Sequence, residues 1–122
     1  MAIYVEVNGT QYPASISGRL HDDDWNGRDS KSITLETSYE EAAAIFSNNT
    51  QWSILQEHQE LIDIINEETG EITQEWRNIP EIYDNSEYCI AGDITDHRNG
   101  KVTIKMGKPT AEELLKMLEE VL

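Results

Sequence analysis

The fold is decided at residues 3–12, IYVEVNGTQY. Apolar side chains occupy alternate positions from Ile3 to Val7, which is the pattern of a strand with one buried face. The Asn8-Gly9 pair that follows favours a type I′ turn, and alternation resumes from Tyr12 to Ile16. The chain is therefore predicted to open with a β-hairpin. Because Pro13 cannot donate to a ladder, we expect the second strand to lie at a sheet edge or to carry a bulge.

Further strands are indicated on both sides of an acidic loop and towards the C-terminus. Residues 32–36, SITLE, alternate again, and residues 87–94 and 101–106 form a second pair of strands with Asn-Gly at the turn between them. The signal is weaker over residues 57–78, where LIDII fits a helix or a strand. The turn residues Glu68-Thr69-Gly70 favour a hairpin. We expect residues 57–80 to form an acidic projecting arm of a single domain that covers residues 1–122.

Two capping boxes predict two short helices. Ser38 and Glu41 precede an apolar stripe that ends near residue 46, and Thr110 and Glu113 precede a C-terminal one. The C-terminal helix must dock either on this domain's own sheet or on a second copy. Its apolar face comprises Leu114, Leu115, Leu118, Val121 and Leu122. The predicted fold class is α+β: a mainly antiparallel sheet built from hairpins, with two short helices, one of them C-terminal.

Composition limits the context in which the protein acts. The 122 residues include 24 acidic and 9 basic ones, a formal net charge of −15, which argues against contact with nucleic acid or an anionic membrane surface. Between Ser32 and Trp76 there is no Lys or Arg. Cys89 is the only cysteine, so no disulfide is expected. The N-terminus lacks the pattern of a signal peptide, and we expect the protein not to be secreted.

One segment resembles a metal-binding motif. Asp22, Asp24, Asn26 and Gly27 match the D-x-D-x-N-G opening of an EF-hand calcium loop. The twelfth position of that loop holds Ile33 where a bidentate Glu is expected, and the flanking segments are strands rather than helices. We expect a solvated turn more often than a calcium site from such a pattern, with Asp22, Asp24 and Asn26 as the candidate ligands.

The same loop contains the best candidates for contact with a partner. Trp25 lies among charged residues, and with Arg28 it forms a recognition or assembly loop in our interpretation. The three histidines are scattered, and the single cysteine cannot complete a zinc site. No phosphate-binding loop or nucleophile motif is present. We therefore expect no catalytic residues, no cofactor other than the calcium considered above, and a protein that is not an enzyme.

Three stretches carry a resemblance to known proteins. They are residues 4–20 (YVEVNGTQYPASISGRL), residues 24–36, which contain WNGRDSKSITLE, and residues 83–110, which contain YDNSEY and ITDHRNGKVTIKMGKPT. On these stretches the chain resembles small proteins encoded in phages and prophages of Gram-positive bacteria, with residues 57–80 as the variable part. The resemblance implies a tail and lysis gene context without an established activity. It also implies a location in the host cytoplasm during assembly, with presence in the virion left open.

Three functional hypotheses follow. The first is a small structural or assembly protein, tail-associated, that acts by contacts with another protein or with itself, as a homo-oligomer. The second is an acidic inhibitor that mimics nucleic acid in the groove of a host defence enzyme, motivated by the acid-only span between Ser32 and Trp76. The third is a calcium-dependent binding module centred on Asp22 and Asp24.

Overall fold

The structure is a computed structural model that describes residues 3–121, without the side chain of Val121. Leu122, the last residue of the predicted apolar stripe, lies outside the described residues, as does the Val121 side chain. The described part contains seven strands, two α-helices and one turn of 3₁₀ helix at Asp23–Trp25. In chain order they are β1 (Ile3–Val7), β2 (Thr10–Asp22), β3 (Arg28–Leu35), α1 (Tyr39–Ile45), β4 (Trp52–Ile65), β5 (Ile72–Asp84), β6 (Ile90–Asp96), β7 (Val102–Gly107) and α2 (Ala111–Val121).

The strands form one sheet in the order β5-β4-β1-β2-β3-β7-β6, and every pairing is antiparallel. The predicted opening hairpin is confirmed, with Tyr4 opposite Pro13 and Val7 opposite Thr10. Asn8 and Gly9 have φ of 52° and 80°, the positive values that a type I′ turn requires. A mainly antiparallel sheet with two helices agrees with the predicted α+β class, although mainly β describes the chain equally well.

The prediction that β2 is an edge strand is wrong. β2 lies between β1 and β3, and its register with β1 runs without a shift from Thr10 to Pro13. Pairing with β3 begins only at Ala14, opposite Leu35, the last residue of β3. Pro13 thus lies where β2 passes from one neighbour to the other. A proline is tolerated there because the side of it away from β1 faces no paired residue of β3.

The core lies on one face of the sheet. Directly opposed pairs such as Val7 with Trp52 and Ile33 with Ile104 place their side chains on this face. Helix α1 covers it, with Ser38 accepting a hydrogen bond from the Glu41 amide as its capping box predicts. The fully or nearly buried apolar residues are Val5, Val7, Ile33, Leu35, Ala42, Phe46, Trp52, Tyr88, Val102, Ile104 and Met106.

The predicted hairpin over residues 57–78 is confirmed as part of a longer one. β4 pairs with β5 from Ser53 opposite Asp84 to Ile65 opposite Ile72. Within residues 3–121, β1 is paired along β4 as far as Gln56, opposite Ile3. Beyond that point the described pairing of β4 is with β5 alone, and we name residues 57–65 and 72–80 the arm. In the described part of the chain, no helix is long and apolar enough to cross a membrane.

Candidate functional site

The acidic loop predicted from the sequence is a tight turn between β2 and β3. The Asp22 side chain accepts a hydrogen bond from the Asp24 amide and so caps the 3₁₀ turn that follows. Asn26 and Gly27 have φ of 59° and 74°, and the Gly27 amide donates to the Asp22 carbonyl at 2.8 Å. The D-x-D-x-N-G pattern therefore supplies the residues that this left-handed turn requires.

The Asp22 carboxylate is fully buried and is bonded by groups of the protein itself. Its Oδ2 accepts from the Ser30 hydroxyl at 3.1 Å and lies 2.5 Å from the Lys105 Nζ. Its Oδ1 accepts from the Asp24 amide at 3.0 Å and lies 3.4 Å from an Arg19 guanidinium nitrogen. The Lys105 ammonium, together with the Asp24 amide and the Ser30 hydroxyl, holds the pKa of Asp22 below its ordinary value. The ammonium group of Lys105 thus supplies the positive charge beside Asp22 that a bound metal cation would otherwise supply.

The other candidate calcium ligands do not converge on Asp22. The Asp24 side chain is largely exposed and lies 3.3 Å from Arg19, and Asn26 is an exposed turn residue. Among residues 3–121, no group of three or more His, Cys, Asp or Glu side chains is placed to hold a metal ion. Calcium prefers six to eight oxygen ligands, which this loop does not bring together. The structure gives the motif a role in turn formation and ion pairing.

Trp25 lies on the face of the sheet opposite the core, over two glycines. A Cβ added to Gly92 would meet the Trp25 ring at 2.6 Å, and one added to Gly107 would meet it at 2.8 Å. The Arg28 guanidinium carbon lies 4.9 Å from the ring centroid and the Lys105 Nζ lies 5.7 Å from it. Two cations so placed contribute cation–π stabilisation. Trp25 is therefore half-buried and is held in position by contacts with two glycines and two cations.

Arg28 connects the cluster formed by Asp22, Trp25 and Lys105 to the start of α2. It is buried, and its Nη1 lies 2.8 Å from the Glu113 carboxylate and donates to the Lys108 carbonyl at 3.1 Å. Glu113 also accepts from the backbone amide of Thr110 at 3.0 Å, as the predicted capping box requires. The Thr110 amide and hydroxyl, followed by Arg28, lower the pKa of Glu113. Of the two predicted partner-binding residues, the structure buries Arg28 and leaves Trp25 half-buried.

The sequence reasoning missed Lys105, Gly92 and Gly107. Alternation over residues 101–106 puts Lys105 on the face away from Val102 and Ile104, which favours a solvated position, yet its side chain is only 26% exposed and pairs with Asp22. Strand alternation gave the correct face, but it could not show that the loop before β3 folds back over that face. A glycine inside a strand does signal close approach of another group, and this signal could have identified Gly92 and Gly107.

A small cavity borders the cluster. It has a volume of about 120 Å³ and is lined by Asp24, Trp25, Gly92, Asp93 and Lys105. Ligand-binding cavities usually measure about 300–1,000 Å³. The lysine in its lining is already paired with Asp22. The cavity is thus smaller than a usual substrate site, and the cluster acts in the first place to fasten the loop and α2 to the sheet.

Two apolar surfaces remain uncovered in the described residues. The first is the α2 stripe, defined by Leu114, Leu115 and Leu118, which are between 49% and 60% exposed. The second lies on the arm, where Leu61 and Trp76 are also exposed. Exposed apolar groups of this size, clustered on one element, are typical of protein interaction surfaces. No family model, curated protein or solved structure matches the chain.

Proposed function

We propose that this chain is a small structural or assembly protein that acts through protein–protein contacts. The resemblance of its sequence to phage and prophage proteins supports a tail-associated role in particle assembly. The observation that carries the proposal is the α2 stripe, Leu114, Leu115 and Leu118, which is half or more exposed along a C-terminal helix. The partner is either another protein or a second copy of this chain.

In the part of α2 that the structure describes, the polar contacts with the rest of the chain lie near its start. The ion pair between Arg28 and Glu113 holds the first turn, and no strand packs extensively against the later turns among the described residues. Helices shorter than about 12–15 residues are marginally stable alone in water and need packing against an apolar surface. The 11 residues Ala111–Val121 therefore gain their stability from a partner that covers the stripe.

The spacing along α2 matches a helix that docks into a groove or pairs with another helix. Leu114 and Leu118 are four residues apart and share a face, with Leu115 beside them. Lys116 falls on the other side of the helix, among glutamates. Such a face is recognised through its apolar anchors, while the polar side remains in water.

Size-exclusion chromatography with light scattering of the full chain tests the proposal. We expect an assembly larger than a monomer at high protein concentration, which the double variant Leu114→Ser and Leu118→Ser dissociates. The matched control is Lys116→Ser on the polar side of the same helix, which leaves the mass unchanged. A wild-type chain that stays monomeric at every concentration counts against self-assembly. Mass spectrometry of purified particles from an induced lysogen then tests incorporation with a second protein.

The arrangement of acids favours protein contacts over mimicry of nucleic acid. A mimic needs carboxylates along one face, in positions like those of phosphates. In the arm, the register puts Glu57 and Asp63 on one face and Glu60 and Glu75 on the other. The acids of the arm are thus divided between two faces. The exposed apolar side chains, by contrast, are clustered.

A further inference from the structure

The arm presents an apolar surface on one face. Leu61 lies directly opposite Trp76, and Ile65 lies directly opposite Ile72. Directly opposed residues of antiparallel strands point to the same side, so these four side chains form one surface, which we name the open face. They are between 46% and 66% exposed. By strand alternation this is the side of the sheet away from the core.

Nothing in the described chain covers the open face or the outer edge of the arm. β5 is the terminal strand of the sheet, and beyond Gln56 its partner β4 pairs with no third strand. An outer strand leaves a row of backbone amides and carbonyls available for pairing with another chain. Pro80 lacks an amide donor near the base of the arm, which leaves Ile72 to Asn78 as the stretch open to pairing.

The charges around the open face are of one sign. Between the two apolar pairs lies Asp63, which accepts from the Gln74 amide at 3.1 Å, and Glu57 follows nearer the base. The turn that closes the arm adds three acids: Glu67, Glu68 and Glu71. Arg77, the arm's only lysine or arginine, is on the opposite face and lies 3.2 Å from Glu75. A cationic surface is therefore the electrostatic complement of the open face.

We propose that the arm binds a basic, strand-forming segment of another protein, which adds to the outer edge of β5. The segment has large apolar side chains at positions i and i+4, which contact Trp76 and Ile72, and Lys or Arg at i+2, which reaches Asp63. Strand addition aligns alternate side chains of both chains on one face, so the open face selects this pattern. A second copy is a poorer occupant, because the chain has a net charge of −15.

This inference rests on the proposed function, since it names the partner of one contact surface. It is tested with a labelled synthetic peptide, Thr-Ile-Thr-Lys-Thr-Ile-Thr, titrated with the full chain and followed by fluorescence anisotropy. We expect binding that weakens as salt is raised and that falls about tenfold or more in Trp76→Ser. Asp63→Asn is expected to weaken binding of this peptide too. The matched control is Leu20→Ser, which removes a similarly exposed apolar side chain on a different strand, β2.

The peptide's own charge provides the decisive comparison. A peptide with Glu in place of Lys is expected not to bind, and equal affinity for the two peptides would overturn the proposal. Equal binding by wild type and Trp76→Ser would also overturn it. Light scattering without peptide is a third test, and a dimer that Trp76→Ser dissociates would identify a second copy as the occupant instead. The Leu114→Ser and Leu118→Ser variant should bind the peptide as wild type does, which separates this proposal from that for α2.

Discussion

The base and the arm of the β4–β5 hairpin have the same local structure, but the base is packed against other elements and the arm is exposed. Trp52 at the base is 2% exposed, whereas Trp76 in the arm is 66% exposed. Both are tryptophans in antiparallel strands of one hairpin. The difference lies in what is beside them. Trp52 is opposite Val7 of β1 and makes an edge-to-face contact with Phe46, while among residues 3–121 no third strand reaches Trp76. Packing, not strand structure, thus separates a core residue from a candidate contact residue.

The largest expected effect is on stability at the base. Trp52→Ala removes a buried ring and its hydrogen bond to the Tyr88 carbonyl, and we expect a loss of about 3–5 kcal/mol in the free energy of unfolding. Trp76→Ala should change it by less than about 0.5 kcal/mol, because Trp76 contributes little buried area. Urea unfolding followed by circular dichroism measures both. A loss for Trp76→Ala close to that for Trp52→Ala would mean that another part of the chain packs on the arm.

Trp25 is an intermediate case, packed on glycines outside the core. Gly92→Ala would place a Cβ within 2.6 Å of its ring, and we expect a cost of about 1–3 kcal/mol in unfolding free energy. The control is Gly18→Ala, where an added Cβ meets nothing within 4 Å. In the double variant with Trp25→Ala, the added methyl should cost little beyond Trp25→Ala alone. If the two effects simply add, Trp25 does not pack on Gly92 in solution.

The first hairpin and the capping boxes were predictable from the sequence because their signals are local. The type I′ turn at Asn8-Gly9 requires positive φ, which these two residues adopt readily. The Ser38 and Thr110 side chains cap their helices by accepting a hydrogen bond from an amide only three residues later. The position of β2 inside the sheet was not predictable from Pro13. The missing backbone N–H of a proline is unfavourable only where a neighbouring strand has a carbonyl to pair with it. At Pro13 that depends on where β1 and β3 end.

The sequence named some residues of the candidate site but not the contacts between them. The sequence singled out Asp22 as a candidate calcium ligand and Trp25 as a candidate contact with a partner. Their partners, Lys105 and Gly107, lie 80 or more residues away along the chain. Contacts between distant segments depend on the strand order, which alternation alone does not determine.

Acid should weaken the Asp22 cluster selectively. The pKa of Asp22 is depressed, chiefly by Lys105, so its ionised form stabilises the folded chain above the ordinary carboxyl pKa of about 3.9. That contribution is lost as the pH falls through the depressed pKa in the folded state. We expect Asp22→Asn to lower the urea midpoint at neutral pH and to flatten its fall in acid. Asp23→Asn, an exposed neighbour, is the control and should leave both unchanged.

The smallest expected effect lies where the base meets the arm, at His58. Its Nε2 is 2.7 Å from Glu60 and its Nδ1 is 2.8 Å from Glu81, so Glu60 first and Glu81 second raise the pKa of the imidazole. Two other charged or titratable groups lie nearby on this face. They are Arg77, opposite Glu60, and Tyr83, whose hydroxyl donates to Glu81.

A raised pKa means that protonated His58 stabilises the hairpin at low pH. The contribution is complete below the ordinary histidine pKa of about 6.5 and disappears as the pH rises through the higher value in the folded chain. We expect the protection factors of amides in residues 57–60 and 77–81, which correct for the intrinsic rise of exchange with pH, to fall across that range, while those around Trp52 stay unchanged. His58→Gln should abolish the pH dependence, and His97→Gln, a histidine remote from the arm, should retain it. Equal pH dependence at the base and in the arm would show that the two regions open together, because separate opening requires that the ion pairs of His58 act on the arm alone.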